Sequence, residues 1–189
     1  EMCIRDSYAN NASLVLSYVA MRKDDKAGLV TFNEYFDTFV PASKQVGQMQ
    51  TLLENLYKQE TTFGETDFSA LCGHLGKHVN KRSFLVLYTN FSNMTSLNRQ
   101  LVYLQQLARQ HRVLVVFFED ADLKEYIAGK SVTTEDYYRH VIAEKFAFEK
   151  RLIVSTLKQH GIYSLLTTPD KLSIDVINKY LEMKSRQLL

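Results

Sequence analysis

Five successive apolar residues, Phe84, Leu85, Val86, Leu87 and Tyr88, lie within the stretch Arg82 to Phe91 and give way at once to Thr89 and Asn90. A strand that is apolar on both faces has no side to offer water, so it belongs inside a parallel sheet with helices on both faces. In open sheets of that kind ligands bind beyond the carboxyl ends of the strands, which puts Thr89 and Asn90 at an expected functional edge. A second run, Val113 to Phe118, repeats the pattern with β-branched valines at Val113, Val115 and Val116. It is the longest apolar run in the chain and falls far short of the roughly 20 residues that span a bilayer.

The segments around these two strands alternate between helical and extended periods. Ala12, Val15, Leu16, Val19 and Ala20 predict a helix from Tyr8 to Lys23, and Ala27 to Phe32 predicts a short strand. Tyr35 to Val40 reads as its antiparallel partner across a tight turn, closed by Pro41, which cannot continue a hydrogen-bonded ladder. Helices are predicted from about Gln45 to Gln59, from Asp67 to Val79 and from Met94 to His111, with a polar loop at Glu60 to Glu65. Ala121 to Lys130 reads as a short helix. Thr133 and Asp136 have capping-box spacing for a long helix that stops at Gly161. Ile162 to Thr167 is the last strand, and Ile174, Ile177, Tyr180 and Leu181 mark a final helix with Lys184 and Arg186 at its carboxyl end. This order predicts a three-layer α/β/α sheet, mostly parallel, with right-handed crossovers and one antiparallel edge.

Composition limits function more than it suggests one. A chain of 189 residues, 46% hydrophobic, can bury one real core, and a formal charge of +2 implies neither nucleic acid nor an acidic membrane surface. Two cysteines without regular spacing fit a reducing, cytoplasmic setting. Glu1 to Ser7 has neither period and no apolar core of a signal peptide, and reads as a ragged or foreign segment ahead of a domain from Tyr8 to Leu189. Entry into a helix with no strand before it gives the chain the look of a fragment, with any membrane tether placed in an amino-terminal region not included in it.

Several blocks of residues carry a family resemblance. They are Tyr8-Ala9 with Leu14-Val15-Leu16, Asp25 to Phe32, Gly47-Gln48-Met49, Thr89-Asn90-Phe91 followed by Asn98 to Leu101, Phe117-Phe118-Glu119, Ala143 to Arg151 and Asn178 to Glu182. From about residue 8 to the end the chain resembles the domain-of-unknown-function 58 family, whose carboxyl half is similar to a von Willebrand factor A domain. That resemblance implies a Rossmann-like sheet with its first strand in the centre, a strand that this chain lacks. It also implies a metal-ion-dependent adhesion site built from an Asp-x-Ser-x-Ser loop, a threonine and an aspartate, whose oxygens suit Mg²⁺. The loop has no counterpart here, the threonine corresponds to Thr66, and the aspartate position is held by the neutral Asn90. The expectation is no cofactor in this chain, with Mg²⁺ left to the full-length protein. Members of the family are often encoded beside MoxR-type AAA+ ATPases, which implies an adaptor or assembly partner of such an ATPase.

The residues themselves supply no catalytic motif. Thr66, Thr89 and Asn90 are the candidates for a partner site or degenerate metal site, and Asp67 reads as a helix cap. Glu119, Asp120 and Asp122 form an acidic group after the second apolar strand without a nucleophile or base beside them. Cys72, His74 and His78 lack a second ligand pair for zinc. Lys77, His78, Lys81 and Arg82 make a basic patch without the stacking residues that nucleic acid requires. Tyr137, Tyr138, Phe146 and Phe148 read as core rather than as a ligand box, with an outer-face position left open for Phe148, and the 7 glycines form no phosphate loop. The leading expectation is a non-enzymatic protein-interaction domain; the alternative is a metal-dependent hydrolase or transferase using the carboxyl edge of the sheet.

Overall fold

The computed structural model describes residues 2–32, 36–58, 66–91, 93–119 and 134–189. In chain order the elements are α1 (Met2–Arg22), β1 (Ala27–Phe32), β2 (Phe36–Ser43), α2 (Gln48–Tyr57), α3 (Phe68–His78), β3 (Phe84–Tyr88), α4 (Met94–Gln110), β4 (Arg112–Phe118), α5 (Thr134–Gln159), β5 (Tyr163–Thr167) and α6 (Leu172–Ser185). They fall into two units, residues 1–81 with 170–189, and residues 82–169.

The second unit holds the parallel sheet, in the order β3-β4-β5. Phe84 pairs with Arg112 and Tyr88 with Val116, and on the other side Leu114 pairs with Tyr163 and Phe118 with Thr167. Val113 to Phe118 are all buried, as a strand covered on both faces must be. α4 begins on a capping box: Asn93 Oδ1 accepts the Ser96 N–H at 2.9 Å, and the Asn93 N–H donates to Ser96 Oγ at 3.4 Å. It buries Leu97, Leu104 and Leu107. α5 ends where Gly161, at φ 72°, turns left-handed. The Gly161 N–H reaches Lys158 O at 3.0 Å and the Ile162 N–H reaches Leu157 O at 3.0 Å, the paired bonds of a Schellman motif.

At the amino end of that sheet His111 is 2% exposed and its Nδ1 accepts the Ser83 N–H at 3.3 Å. Burial pulls the imidazole below its ordinary 6.5. A folded state that resists a proton taken up by the unfolded chain loses stability in acid. The contribution is complete above the ordinary value and is lost as the pH falls through it toward the lower folded value. Urea midpoints taken from about pH 7.5 to about pH 5 are expected to fall more steeply for the parent chain than for His111→Gln. Equal slopes would remove the assignment.

In the first unit, β1 and β2 form a two-stranded antiparallel hairpin. β2 runs through Pro41 to Ser43, beyond the end that a proline stop predicts. The register explains the difference. Ala27 faces Ser43 and Leu29 faces Val40, so Gly28 alone stands opposite Pro41 and Ala42, and the proline sits in a bulge where no ladder N–H is needed. Gln48, buried at the start of α2, donates from Nε2 to Ala27 O at 2.8 Å and to Pro41 O at 3.0 Å, joining the two strands across the bulge. Ala27, Val40 and Leu52 form a core cluster with Leu14, Met21, Leu29 and Met49 packed on it. α6 is tied to the start of the hairpin by Asp25, whose carboxylate accepts from the Tyr180 hydroxyl and from Lys184 Nζ at 2.6 Å. Burial pushes the Asp25 carboxyl up, and these hydrogen bonds outweigh it and hold it below its ordinary value.

The chain is thus mixed α/β, with one antiparallel pair and one parallel triple. Among the described residues the strands make two sheets instead of one, because periodicity identifies strands without saying which of them share hydrogen bonds. β3, whose apolar run suggests a centre, borders β4 alone among the described strands, and β4 is the middle strand of its sheet. α1 starts at Met2, ahead of the predicted Tyr8; Met2 to Ser7 contains no glycine or proline to stop a helix, whatever its periodicity. α2 begins at Gln48 rather than Gln45, after Gly47 at φ 92°. The short helix expected at 121–130 and the cap expected at Thr133 lie outside the described residues.

Candidate functional site

The carboxyl end of the parallel sheet is built from the residues through which the chain leaves β3, β4 and β5. The Thr89 N–H still pairs with Val116 O at 3.0 Å, so ladder bonding continues one residue past β3. Likewise the Glu119 N–H reaches Thr167 O at 2.9 Å. Thr89 is half-buried, Asn90 exposed and Phe91 buried, the alternation that an extended exit from a strand produces.

Lys150 converges on this exit from α5. Its Nζ donates to Asn90 Oδ1 at 3.0 Å and to Phe91 O at 2.7 Å, and lies 5.4 Å from the centroid of the Phe117 ring in β4. The ammonium therefore satisfies two oxygens at the end of β3 and rests on an aromatic face of the neighbouring strand. Sequence reasoning did not single it out. The available signal was its spacing: Lys150 stands seven residues from each of the buried Ala143 and Leu157, so it occupies the buried seam of α5 and not its wet side.

The site residues expected from the sequence are divided between the two units. Thr89 and Asn90 are adjacent at the end of β3. Thr66 belongs to the other unit, half-buried immediately before α3. Asp67 is a helix cap, its Oδ1 accepting the Ser69 N–H at 2.7 Å and the Ala70 N–H at 3.1 Å. Glu119 is half-buried at the end of β4, and Asp120 and Asp122 lie outside the described residues.

These residues do not fit a divalent ion. The one carbonyl oxygen that Asn90 has to offer accepts a hydrogen bond from an ammonium, and a cation fixed within 3.0 Å of a would-be ligand opposes a second cation there. Among the described residues no three His, Cys, Asp or Glu side chains gather as a metal site. The Cys72, His74 and His78 trio divides between the faces of α3. Cys72 is buried, its thiol pushed up to about 11 by burial and by Asp67, whereas the two imidazoles stack at 4.1 Å on each other and lean on Phe39.

Tyr137, Tyr138 and Phe146 of α5 are a correction to the core reading, and Phe148 takes the outer-face position left open for it. Tyr137 is 62% exposed, Tyr138 67% and Phe148 59%, with Val141, Ile142, Phe146 and Leu152 exposed alongside them. Four of these, Tyr137, Val141, Phe148 and Leu152, are spaced by four, seven and four residues, which confines them to an arc of about 60° on a helix of 3.6 residues per turn. Their helical period made them look like core because α5 is apolar on two sides, and only the side of Ala143, Ile153 and Leu157 is buried. Among the described residues no helix is long and apolar enough to cross a membrane.

A family model described as a protein of unknown function, DUF58, matches residues 2–133, more than half of the chain. No curated protein and no solved structure matches it.

Proposed function

We propose that this chain, which belongs to the DUF58 family, is a non-enzymatic protein-interaction domain that serves as an adaptor or assembly partner of a MoxR-type AAA+ ATPase. The observation that carries the reading is the apolar outer face of α5. Side chains as large as Tyr137, Phe148 and Leu152 left in water together on one helix are the usual mark of a surface that a protein partner covers. The parallel β3-β4-β5 sheet, with α4 and α5 in its crossovers, supports a von Willebrand factor A-like arrangement for the second unit. The competing hydrolase or transferase needs a metal ion at the carboxyl edge, and Lys150 stands against that.

The test is retention of a MoxR-type ATPase by the immobilised chain, with ATP, ADP and no nucleotide. Phe148→Asp combined with Tyr137→Ser is expected to weaken association at least about tenfold, while the thermal midpoint stays near that of the parent because both residues are exposed. Absence of association in every nucleotide state removes the proposal. Association that survives the double substitution moves the contact away from α5.

A further inference from the structure

We infer that Lys150 supplies, at the carboxyl edge of the parallel sheet, the positive charge that a divalent ion would bring, and that this edge is ordered without metal. The implied ion and the observed ammonium have the same task. Each collects oxygen atoms from the loop that leaves a strand, and one fixed cation satisfies that need. Lys150 holds Asn90 Oδ1 at 3.0 Å and Phe91 O at 2.7 Å, partners 60 and 59 residues away in the chain, so it ties the exit of β3 to the last crossover helix.

The residue types agree with this assignment. A neutral amide at position 90 is a poor ligand for Mg²⁺, which prefers charged oxygens, yet its carbonyl is a good acceptor for an ammonium. The Phe117 ring beneath Nζ favours a cation and offers a metal nothing to coordinate. Lysine also fits where it starts from. Its four-carbon stem can run along the seam between Ala143 and Leu157 while the charged head reaches the oxygens. Lys150 is therefore a positioning residue, and the inference stands whether or not the proposed ATPase is the partner.

Three measurements on the chain of 189 residues test it. Calorimetric titration of the parent with Mn²⁺ and with Mg²⁺ is expected to give no saturable heat, and millimolar amounts of either ion are expected to leave the melting midpoint unchanged. A saturable isotherm overturns the inference. Asn90→Asp is expected to raise the midpoint by converting the hydrogen bond into an ion pair, with a gain that shrinks as NaCl is added and still no heat from either ion. A metal-dependent rise in that variant would show the edge to be an ion site after all.

Lys150→Met is expected to lower the folding equilibrium constant roughly tenfold. It should also shift the side-chain amide resonances of Asn90 and the backbone amides next to Phe91, while the amides of the β4–β5 ladder stay in place. Unmoved resonances at Asn90 and Phe91 contradict the assignment. If the methionine variant does not fold, Lys150→Arg, which keeps the charge with different geometry, is expected to retain the metal indifference; a gain of Mn²⁺ heat in it counts against the inference.

Discussion

Replacing Gly28 with alanine is expected to cost about 3 kcal/mol of stability, through a collision that no side-chain rotation can relieve. A β-carbon at position 28 would stand 2.7 Å from Val40 O, 2.8 Å from Ala42 N and 2.9 Å from Ala42 Cα. All three are backbone atoms of the bulged strand, so relief requires β2 to move. Moving it breaks the bridge that Gln48 makes to Ala27 O and Pro41 O, leaving two carbonyls short of a donor in a part of the structure where Gln48 itself is buried. The contrast is Gly73, exposed in α3, where an added β-carbon would meet nothing within 4 Å and alanine is expected to add up to about 1 kcal/mol through helix propensity. Urea midpoints of the two variants against the parent decide the matter. If Gly28→Ala proves as harmless as Gly73→Ala, the register of the hairpin has been read wrongly.

Much of the fold was legible because its signals are local. β1 and β3 coincide with the apolar runs that announce them, and β4 and β5 differ from expectation by one residue at their starts. Asp67 and Gly161 act as the cap and the stop that their residue types suggest, since each works through backbone groups a few residues away. The features that depend on pairing were not legible. Nothing in Pro41 says that a bulge will carry the strand past it, because the bulge is defined by Gly28 on the other strand. Nor does an apolar run distinguish the strand in the middle of a sheet from the one beside it, as β3 and β4 show.

At the carboxyl edge of the sheet the sequence names the exit of β3 but not the side chain that holds it. The rule that function gathers at the carboxyl edge of a parallel sheet leads to Thr89 and Asn90. It does not lead to Lys150, whose partners are separated from it by about a third of the chain. A lysine in the buried seam of a helix is the kind of local contradiction that marks such a residue, and noticing it requires knowing which side of α5 is buried. The aromatic side chains of α5 hid that information, because two apolar faces on one helix give no single direction for the core.

Truncating Phe117 to alanine is expected to be the other large loss, about 4 kcal/mol. Phe117 is fully buried near the carboxyl end of β4, the middle strand of its sheet, and no fully buried side chain among the described residues is larger. Its removal opens a cavity where neighbouring strands on both sides limit collapse. The ring has a second role that leucine can isolate. Phe117→Leu keeps most of the packing and is expected to cost about 1.5 kcal/mol, yet it removes the aromatic face beneath Lys150. In a double-mutant cycle Lys150→Met should then cost about 0.5–1 kcal/mol less in the Phe117→Leu background than in the parent. Zero coupling would mean that the Phe117 ring contributes nothing to holding the ammonium. The control is Phe148→Ala, the same kind of residue on the exposed face of α5, which is expected to stay within about 0.5 kcal/mol of the parent. A loss at position 148 as large as that at 117 would place the core of this unit on the opposite side of the helix, and with it both the partner surface and the seam from which Lys150 reaches the sheet.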